Sequence, residues 1–148
     1  MHNLFMNEAL KEAEKAYKKN EVPVGAVIVC NNKIISRAHN KRVRNNQTIS
    51  HAELLAITKA NKKLKSWRLE DCEIYVTLEP CAMCAGAIMQ ARIKKVYFAT
   101  KDLKSGALGG KFNLFENEFN HTVEVNYGIL ELESKKLIQK FFKELRGK

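Results

Sequence analysis

The sequence predicts an α/β domain of three layers, a mixed sheet of five strands between helices on both faces. Three observations predict it. Stretches with apolar residues at helical spacing alternate with short runs rich in Val and Ile. Helices separate several of those runs, as the crossover connections of parallel strands require. The 148 residues, 45% of them hydrophobic, suit one domain of ordinary composition, domains averaging about 150 residues. The order of elements further predicts that the sheet is mostly parallel.

The elements follow in order. Phe5, Met6, Ala9, Leu10, Ala13, Ala16 and Tyr17 form an apolar stripe with Lys and Glu opposite, which is a first helix from Phe5 to Tyr17. Pro23 ends the connection. Val24 to Cys30 (VGAVIVC) and Lys33 to His39 are strands joined by a tight turn at Asn31-Asn32, hence a hairpin. Asn40 to Ser50 (NKRVRNNQTIS) is polar, basic and aperiodic, a loop. A second helix starts near His51, apolar at Leu54, Leu55, Ile57 and Ala60.

Glu73 to Leu78 (EIYVTL) is a third strand running into Pro80, a residue well tolerated at the first position of a helix. CAMCAGAIMQA continues as a third helix, apolar on almost every side and therefore expected to be buried. Val96 to Thr100 is a fourth strand, Lys101 to Lys111 a Gly-containing loop, and Thr122 to Tyr127 a fifth strand. The closing helix, Leu130 to Arg146, carries Leu137, Ile138, Phe141, Phe142 and Leu145 on one face. There is no internal repeat, linker or low-complexity segment.

Composition removes several classes of function. No apolar run approaches the about 18 residues that cross a bilayer, so no membrane partner is expected. The start MHNLFMNEAL lacks the basic and apolar regions of a secretory signal, so a reducing, cytoplasmic setting is expected and the four Cys are read as thiols, not disulfides. Against 16 Asp and Glu stand 26 Lys and Arg, a net charge of +10. That excess favours a polyanionic partner, although soluble proteins without one carry it too.

The chemistry is concentrated in two motifs, His51-Ala52-Glu53 and Pro80-Cys81-Ala82-Met83-Cys84. One imidazole and two thiols make three zinc ligands, and three protein ligands with an open fourth position mark a catalytic zinc site; a structural site needs a fourth ligand. Cys30, Cys72, His2, His39 and His121 form no second ligand pair of the usual spacing. Cys81 and Cys84 at the start of a helix project to one side, where free N–H groups favour thiolates. In mid-helix His51 and Glu53 would point roughly 200° apart, so they share a site only where the helix begins. Two helix N-termini then face one another across one ion.

Charge assigns the roles. Zinc with two thiolates is locally near neutral, so its water is less acidified than one held by three histidines and needs a base beside it. Glu53 can take that proton and hand it on, leaving hydroxide on the metal as the nucleophile. Either motif alone carries little, since Cys-x-x-Cys is as often a redox pair or half a zinc knuckle. Together they form the known signature of zinc deaminases.

The match extends beyond that signature. Glu21 to Val27 (EVPVGAV), Tyr75 to Cys81 (YVTLEPC), Met83 to Ala87 (MCAGA), Arg92-Ile93, Asp102 with Lys104 and Gly106-Ala107, Asn120-His121 and Gly128 to Leu130 resemble the bacterial tRNA-specific adenosine deaminases over nearly the whole chain. The resemblance implies a single CMP/dCMP-type zinc deaminase domain over residues 1–148 with the cytidine-deaminase-like fold. It implies a homodimer that converts adenosine to inosine at the wobble position of a tRNA anticodon, usually that of the arginine acceptor. It puts His51, Cys81 and Cys84 on zinc, Glu53 in the proton shuttle, Asn40 against the flipped base and Asp102 against a neighbouring nucleotide. The plainer roles are a turn residue for Asn40 and an exposed loop carboxylate for Asp102. Gln47 to Ser50 (QTIS) departs from the family's Asp-Pro-Thr-Ala before the His, so no role is carried onto it.

In this reading Lys41, Arg42, Arg44, Lys101, Lys104, Lys143, Arg146 and Lys148 neutralise RNA phosphates collectively. Two other functions fit part of the pattern. A zinc deaminase of a free base or nucleoside, guanine or cytidine, would have the same metal site, with the charge and the Asp102 loop against it. A noncatalytic zinc-dependent RNA-binding module would have no use for Glu53.

Overall fold

The computed structural model describes residues 1–147; Lys148 lies outside them. Its elements are α1 (His2–Lys18), β1 (Gly25–Cys30), β2 (Lys33–His39), α2 (Arg42–Asn45), α3 (Ala52–Leu64), β3 (Cys72–Leu78), α4 (Ala82–Gln90), β4 (Lys95–Thr100), β5 (Glu124–Tyr127) and α5 (Glu131–Arg146), with one 3-10 turn at Leu114–Glu116. The five strands form one sheet in the order β2-β1-β3-β4-β5.

Alternation along the strands builds two cores. Ala26, Ile28, Ile74, Val76, Val96 and Phe98 face Ala52, Ala56, Ile57 and Ala60 of α3 and Ala85, Ile88 and Met89 of α4. Val27, Val29, Tyr75, Tyr97 and Ala99 face Phe5, Met6 and Ala9 of α1. α5 lies beside α1, joined to it where the Tyr17 hydroxyl donates to Glu144 and the Tyr17 ring meets Phe141 edge-on. At roughly 1.5–3 kcal/mol for each fully buried Val, Ile, Leu or Phe, these two cores hold the three layers together. Among the described residues no helix is long and apolar enough to cross a membrane.

The sheet is mixed but not mostly parallel. β1 is antiparallel to both β2 and β3, whereas β3–β4 and β4–β5 are parallel. The crossover through α3 does return parallel to β2, but it lands beyond β1, so β1 opposes both of its neighbours. The predicted hairpin turn is present with Asn31 at φ 51° and Asn32 at φ 63°, the left-handed pair of a two-residue turn that matches strand twist.

Several boundaries and two burial patterns differ from expectation. α1 begins at His2 because the His2 ring packs tilted against Tyr97 at 4.7 Å and its Nδ1 lies 2.6 Å from the Tyr75 hydroxyl, a tertiary anchor that periodicity does not register. The basic loop after β2 contains the single-turn helix α2. Pro80 lies outside α4, whose N-cap is Cys81. α4 is not buried all round: Cys84, Ala85, Ile88 and Met89 are buried, while Met83, Gly86 and Ala87 on its outer side are half-buried. On α5, Phe142 and Leu145 are exposed, and only Ser134, whose hydroxyl donates to the Thr77 carbonyl, is fully buried.

Gly25 shows how closely α1 rides on the sheet. A Cβ there would lie 2.0 Å from the Ala9 carbonyl oxygen and 2.5 Å from the Ala13 nitrogen, both backbone atoms unable to give way. Gly25→Ala is therefore expected to cost about 3 kcal/mol or more of folding stability, read from the urea midpoint at unchanged slope; a loss below about 1 kcal/mol would mean that α1 is not clamped there.

Candidate active site

The site lies at the carboxyl ends of β2, β3 and β4, where chains on an open α/β sheet leave room for a ligand. His51 is the N-cap of α3 and Cys81 the N-cap of α4, both in extended backbone conformation. Neither side chain caps its own helix, so both are free to turn toward each other. His51 Nδ1 is 3.8 Å from Cys81 Sγ and 3.5 Å from Cys84 Sγ, and the three donor atoms lie within 4.8 Å of one another. A tetrahedral ion bonded at about 2.3 Å to sulfur and about 2.0–2.1 Å to nitrogen needs S···N separations of about 3.6 Å. The donor set fits zinc in number, type and spacing.

Among the described residues no other His, Cys, Asp or Glu completes the cluster. His2 is engaged with Tyr75, His39 with Glu12, and His121 with the Ile93 carbonyl. The expected open fourth corner is therefore compatible with the protein's own side chains. Glu53, in the first turn of α3, is 4% exposed. Burial pushes its carboxyl up to about 7, with the Cys81 sulfur adding to the rise and a backbone hydrogen bond opposing it. The Cys81 thiol is held well below its ordinary range, first by the hydrogen bond from Cys84 and then, against burial, by His51. Cys84, the donor in that pair and buried, is pushed up, and the bond to Cys81 raises the His51 imidazole.

His51, Glu53 and Cys81 line a cavity of about 390 Å³, with Cys84 buried behind them. Asn40 and Asp102 both line it, so five of the six predicted site residues share this cavity and the sixth, Cys84, lies against His51 behind it. Asn40 also holds the site together: its Oδ1 accepts from the Ala52 N–H at the start of α3, and its Nδ2 donates to the Val22 carbonyl. One amide hydrogen remains for the cavity. Asp102 caps its own turn, Oδ1 accepting from the N–H groups of Lys104 and Ser105 and Oδ2 from the Ser105 hydroxyl. The divergent QTIS stretch closes on itself, with the Ser50 hydroxyl donating to Gln47 and accepting from Asn45.

A second cavity of about 630 Å³ adjoins the first across Val22, Leu78 and Phe142. Lys101, Lys104 and Arg146 line it, and Arg42 lines the first. Lys41, Arg44 and Lys143 line neither cavity; Lys148 lies outside the described residues.

Two buried carboxylates with structural work in the site escaped the sequence reading. Glu79, 3% exposed, accepts from the backbone N–H groups of Asp102, Leu108 and Gly110, and so shapes the loop that carries Asp102. A Cβ on Gly106 or Gly110 would lie 2.3–2.4 Å from that carboxyl group, which explains both glycines. Glu21, also 3% exposed, accepts from the N–H groups of Val43 and Arg44 and fixes α2 beside Asn40. The signal available for Glu79 was an acid ending an otherwise apolar strand, with glycines following in the next loop.

Comparison with known proteins agrees with this geometry. The family model of MafB19-like deaminases matches residues 1–146. The tRNA-specific adenosine deaminase of Bacillus subtilis (strain 168) is 52% identical over 146 residues, covering 98% of this chain and 91% of that protein. A structure solved in studies of A-to-I editing by tRNA:A34 deaminases at the wobble position of transfer RNA superposes with a TM-score of 0.86 at 39% identity, over 90% of this chain and 98% of that one. A guanine deaminase from Bacillus subtilis superposes with a TM-score of 0.65 at 30% identity, over 81% of this chain and 87% of that one.

The role of Glu79 is open to direct test. Glu79→Gln keeps the shape but turns an NH₂ group toward backbone N–H donors, and is expected to cost about 3 kcal/mol of stability. Hydrogen exchange should then show the amides of Asp102, Leu108 and Gly110 losing protection; unchanged protection would remove the carboxylate from its role.

Proposed function

Because the chain belongs to the MafB19-like deaminase family, together with the bacterial tRNA-specific adenosine deaminases, we propose that it hydrolyses adenosine to inosine and ammonia at the wobble position of a tRNA anticodon. The observation that carries this reading is the meeting of His51, Cys81 and Cys84 beside a buried Glu53 on the floor of a cavity that opens toward basic residues. The resemblance names the arginine acceptor as the substrate RNA. The higher identity to the tRNA-specific adenosine deaminase of Bacillus subtilis, 52%, than to the guanine deaminase, 30%, supports an RNA-borne adenine over a free base.

His51 Nδ1 and the Cys81 and Cys84 sulfurs would hold a zinc ion, which when bound supplies an acidified water next to the substrate. Glu53 has the proton affinity for a shuttle, a carboxyl raised by burial to about 7, so it can both accept and donate near neutral pH. It takes one proton from the attacking water and passes it to the purine ring nitrogen, then takes the second from the hydroxyl so added and passes it to the amino group, which departs as ammonia. Asn40 presents its remaining amide hydrogen to the flipped base, fixed in direction by its bonds to Val22 and Ala52. Asp102, at the seam of the two cavities, faces the neighbouring nucleotide.

Around this pocket Arg42, Lys101, Lys104 and Arg146 neutralise phosphates, and the exposed Phe142 and Leu145 offer apolar surface to unstacked bases. The half-buried apolar side of α4, with Met83, Gly86 and Ala87, supports a homodimer that covers it.

Incubation with a tRNA bearing adenosine at the wobble position should yield inosine, while free adenosine, cytidine and guanine should yield no ammonia; turnover of a free base but not of tRNA would favour the other reading. Elemental analysis should find about one zinc per chain. Glu53→Ala should keep that zinc and the fold yet abolish turnover, and inosine formed by this variant would assign the proton transfer elsewhere. Affinity for tRNA should fall steeply with added salt, at least tenfold between 50 and 200 mM if about three or more phosphates are neutralised; a flat response would exclude electrostatic binding.

A further inference from the structure

Two thiols outside the active site stand directly opposite each other. Cys30, the last residue of β1, is the register partner of Cys72, the first of β3, on antiparallel strands. Both side chains join the same core on the α3 and α4 face of the sheet. The backbone fixes the kind of pair. The Cys72 N–H donates to the Leu69 carbonyl and its C=O accepts from Lys94, so neither group is turned toward β1. Cys30 closes the two-residue hairpin with Lys33, which occupies its own groups on the β2 side. Cys30 and Cys72 are therefore a non-hydrogen-bonded pair, the type in which opposing Cα atoms approach to about 4.5 Å and side chains come closest. That separation falls within the range disulfides span.

We propose that Cys30 and Cys72 form a reversible cross-strand disulfide, made by a hydroperoxide and broken by thiol reductants, which staples the segment carrying Asn40, His51 and Glu53 to β3. Cys30 is partly exposed and Cys72 buried, so Cys30 meets the oxidant. Its thiolate attacks the peroxide oxygen, the O–O bond breaks, and hydroxide leaves a sulfenic acid on Cys30. The Cys72 sulfur then displaces that hydroxyl as water, so two thiols and one peroxide become a disulfide and two waters. Burial, and after it the adjacent Cys30 thiol and Asp71, push the Cys72 thiol up against the opposing charge of Lys94, so closure quickens as pH rises. The pair sits at the end of the sheet opposite to His51 and Cys81, at the carboxyl end of β1 and the amino end of β3, so closing it leaves the site's geometry in place.

The test uses the purified, metal-containing protein with hydrogen peroxide at mildly alkaline pH. Intact mass should fall by about 2 Da, peptide mapping should join the Cys30 and Cys72 peptides, and dithiothreitol should reverse both. Cys30→Ser and Cys72→Ala should each abolish the joined peptide; the partly exposed Cys30→Ser keeps the test informative if Cys72→Ala folds poorly. The cross-linked protein should melt about 5–10 °C higher than the reduced one. Cys30 accumulating as sulfinic acid with Cys72 still free, a link confined to Cys81 and Cys84, or a joined pair without gain in Tm would each overturn the proposal.

Discussion

The site exists because two helices begin at the same point in space. A side chain at a helix N-cap points away from its own helix axis, and only at that position can His51 and Cys81 reach each other while Glu53 and Cys84, one turn or less further on, still face the same spot. The convergence is set by packing. α3 presents Ala52, Ala56 and Ala60 to the sheet and α4 presents Ala85, small residues that let both helices approach the strands closely and start level with one another. Larger residues on those faces would push the helices outward and separate the N-caps by more than the tolerance of a metal bond, about 0.2 Å.

Helix starts also explain the electrostatics. The unsatisfied N–H groups of a first turn favour negative charge, which suits a thiolate on Cys81. Asn40 engages one of those groups at Ala52, so the same amide that closes the end of α3 is aimed into the cavity. Two further carboxylates beside the cavity, Glu21 and Glu79, are buried, and each is satisfied by backbone N–H donors. A buried carboxylate without such partners costs several kcal/mol. With them it becomes an organiser, forcing two surface loops into single conformations on either side of the cavity. Both segments beside the cavity are thus tied to a carboxylate through backbone hydrogen bonds.

Most of this was legible in the sequence where the signal is local. Helical periodicity located four helices, alternation located five strands, and the spacing of His51, Glu53, Cys81 and Cys84 announced a metal site before any geometry was known. What escaped was nonlocal. Nothing in β1 itself says that it opposes both neighbours, because strand direction depends on where the α3 crossover lands. The first turn of α1 is held by Tyr75 and Tyr97, distant in sequence. Glu79 reads as a solvated acid until the 102–110 loop is folded over it. Apolar α4 reads as wholly buried, whereas one side of it is left half-exposed by this chain, and a pattern of apolar residues cannot say whether the covering surface belongs to the same molecule.

The arrangement of the two cavities bears on why such a site would act on a base within a polymer. A pocket for a free base gains by enclosing it, since burial of most of the ligand surface supplies affinity and excludes water. Here the floor cavity is joined to a larger neighbour across Val22, Leu78, Phe142, Asp102 and Ser105, and Lys101, Lys104 and Arg146 line that neighbour. A free base could fill only the first space and would leave the second wet. A splayed strand could place one base on the floor, its neighbour next door and its phosphates on the basic rim, so binding energy from outside the reacting ring would hold that ring in place. The openness that would weaken the site toward small molecules is what a polynucleotide needs, and the backbone hydrogen bonds of Glu21 and Glu79 tie the two segments beside that opening.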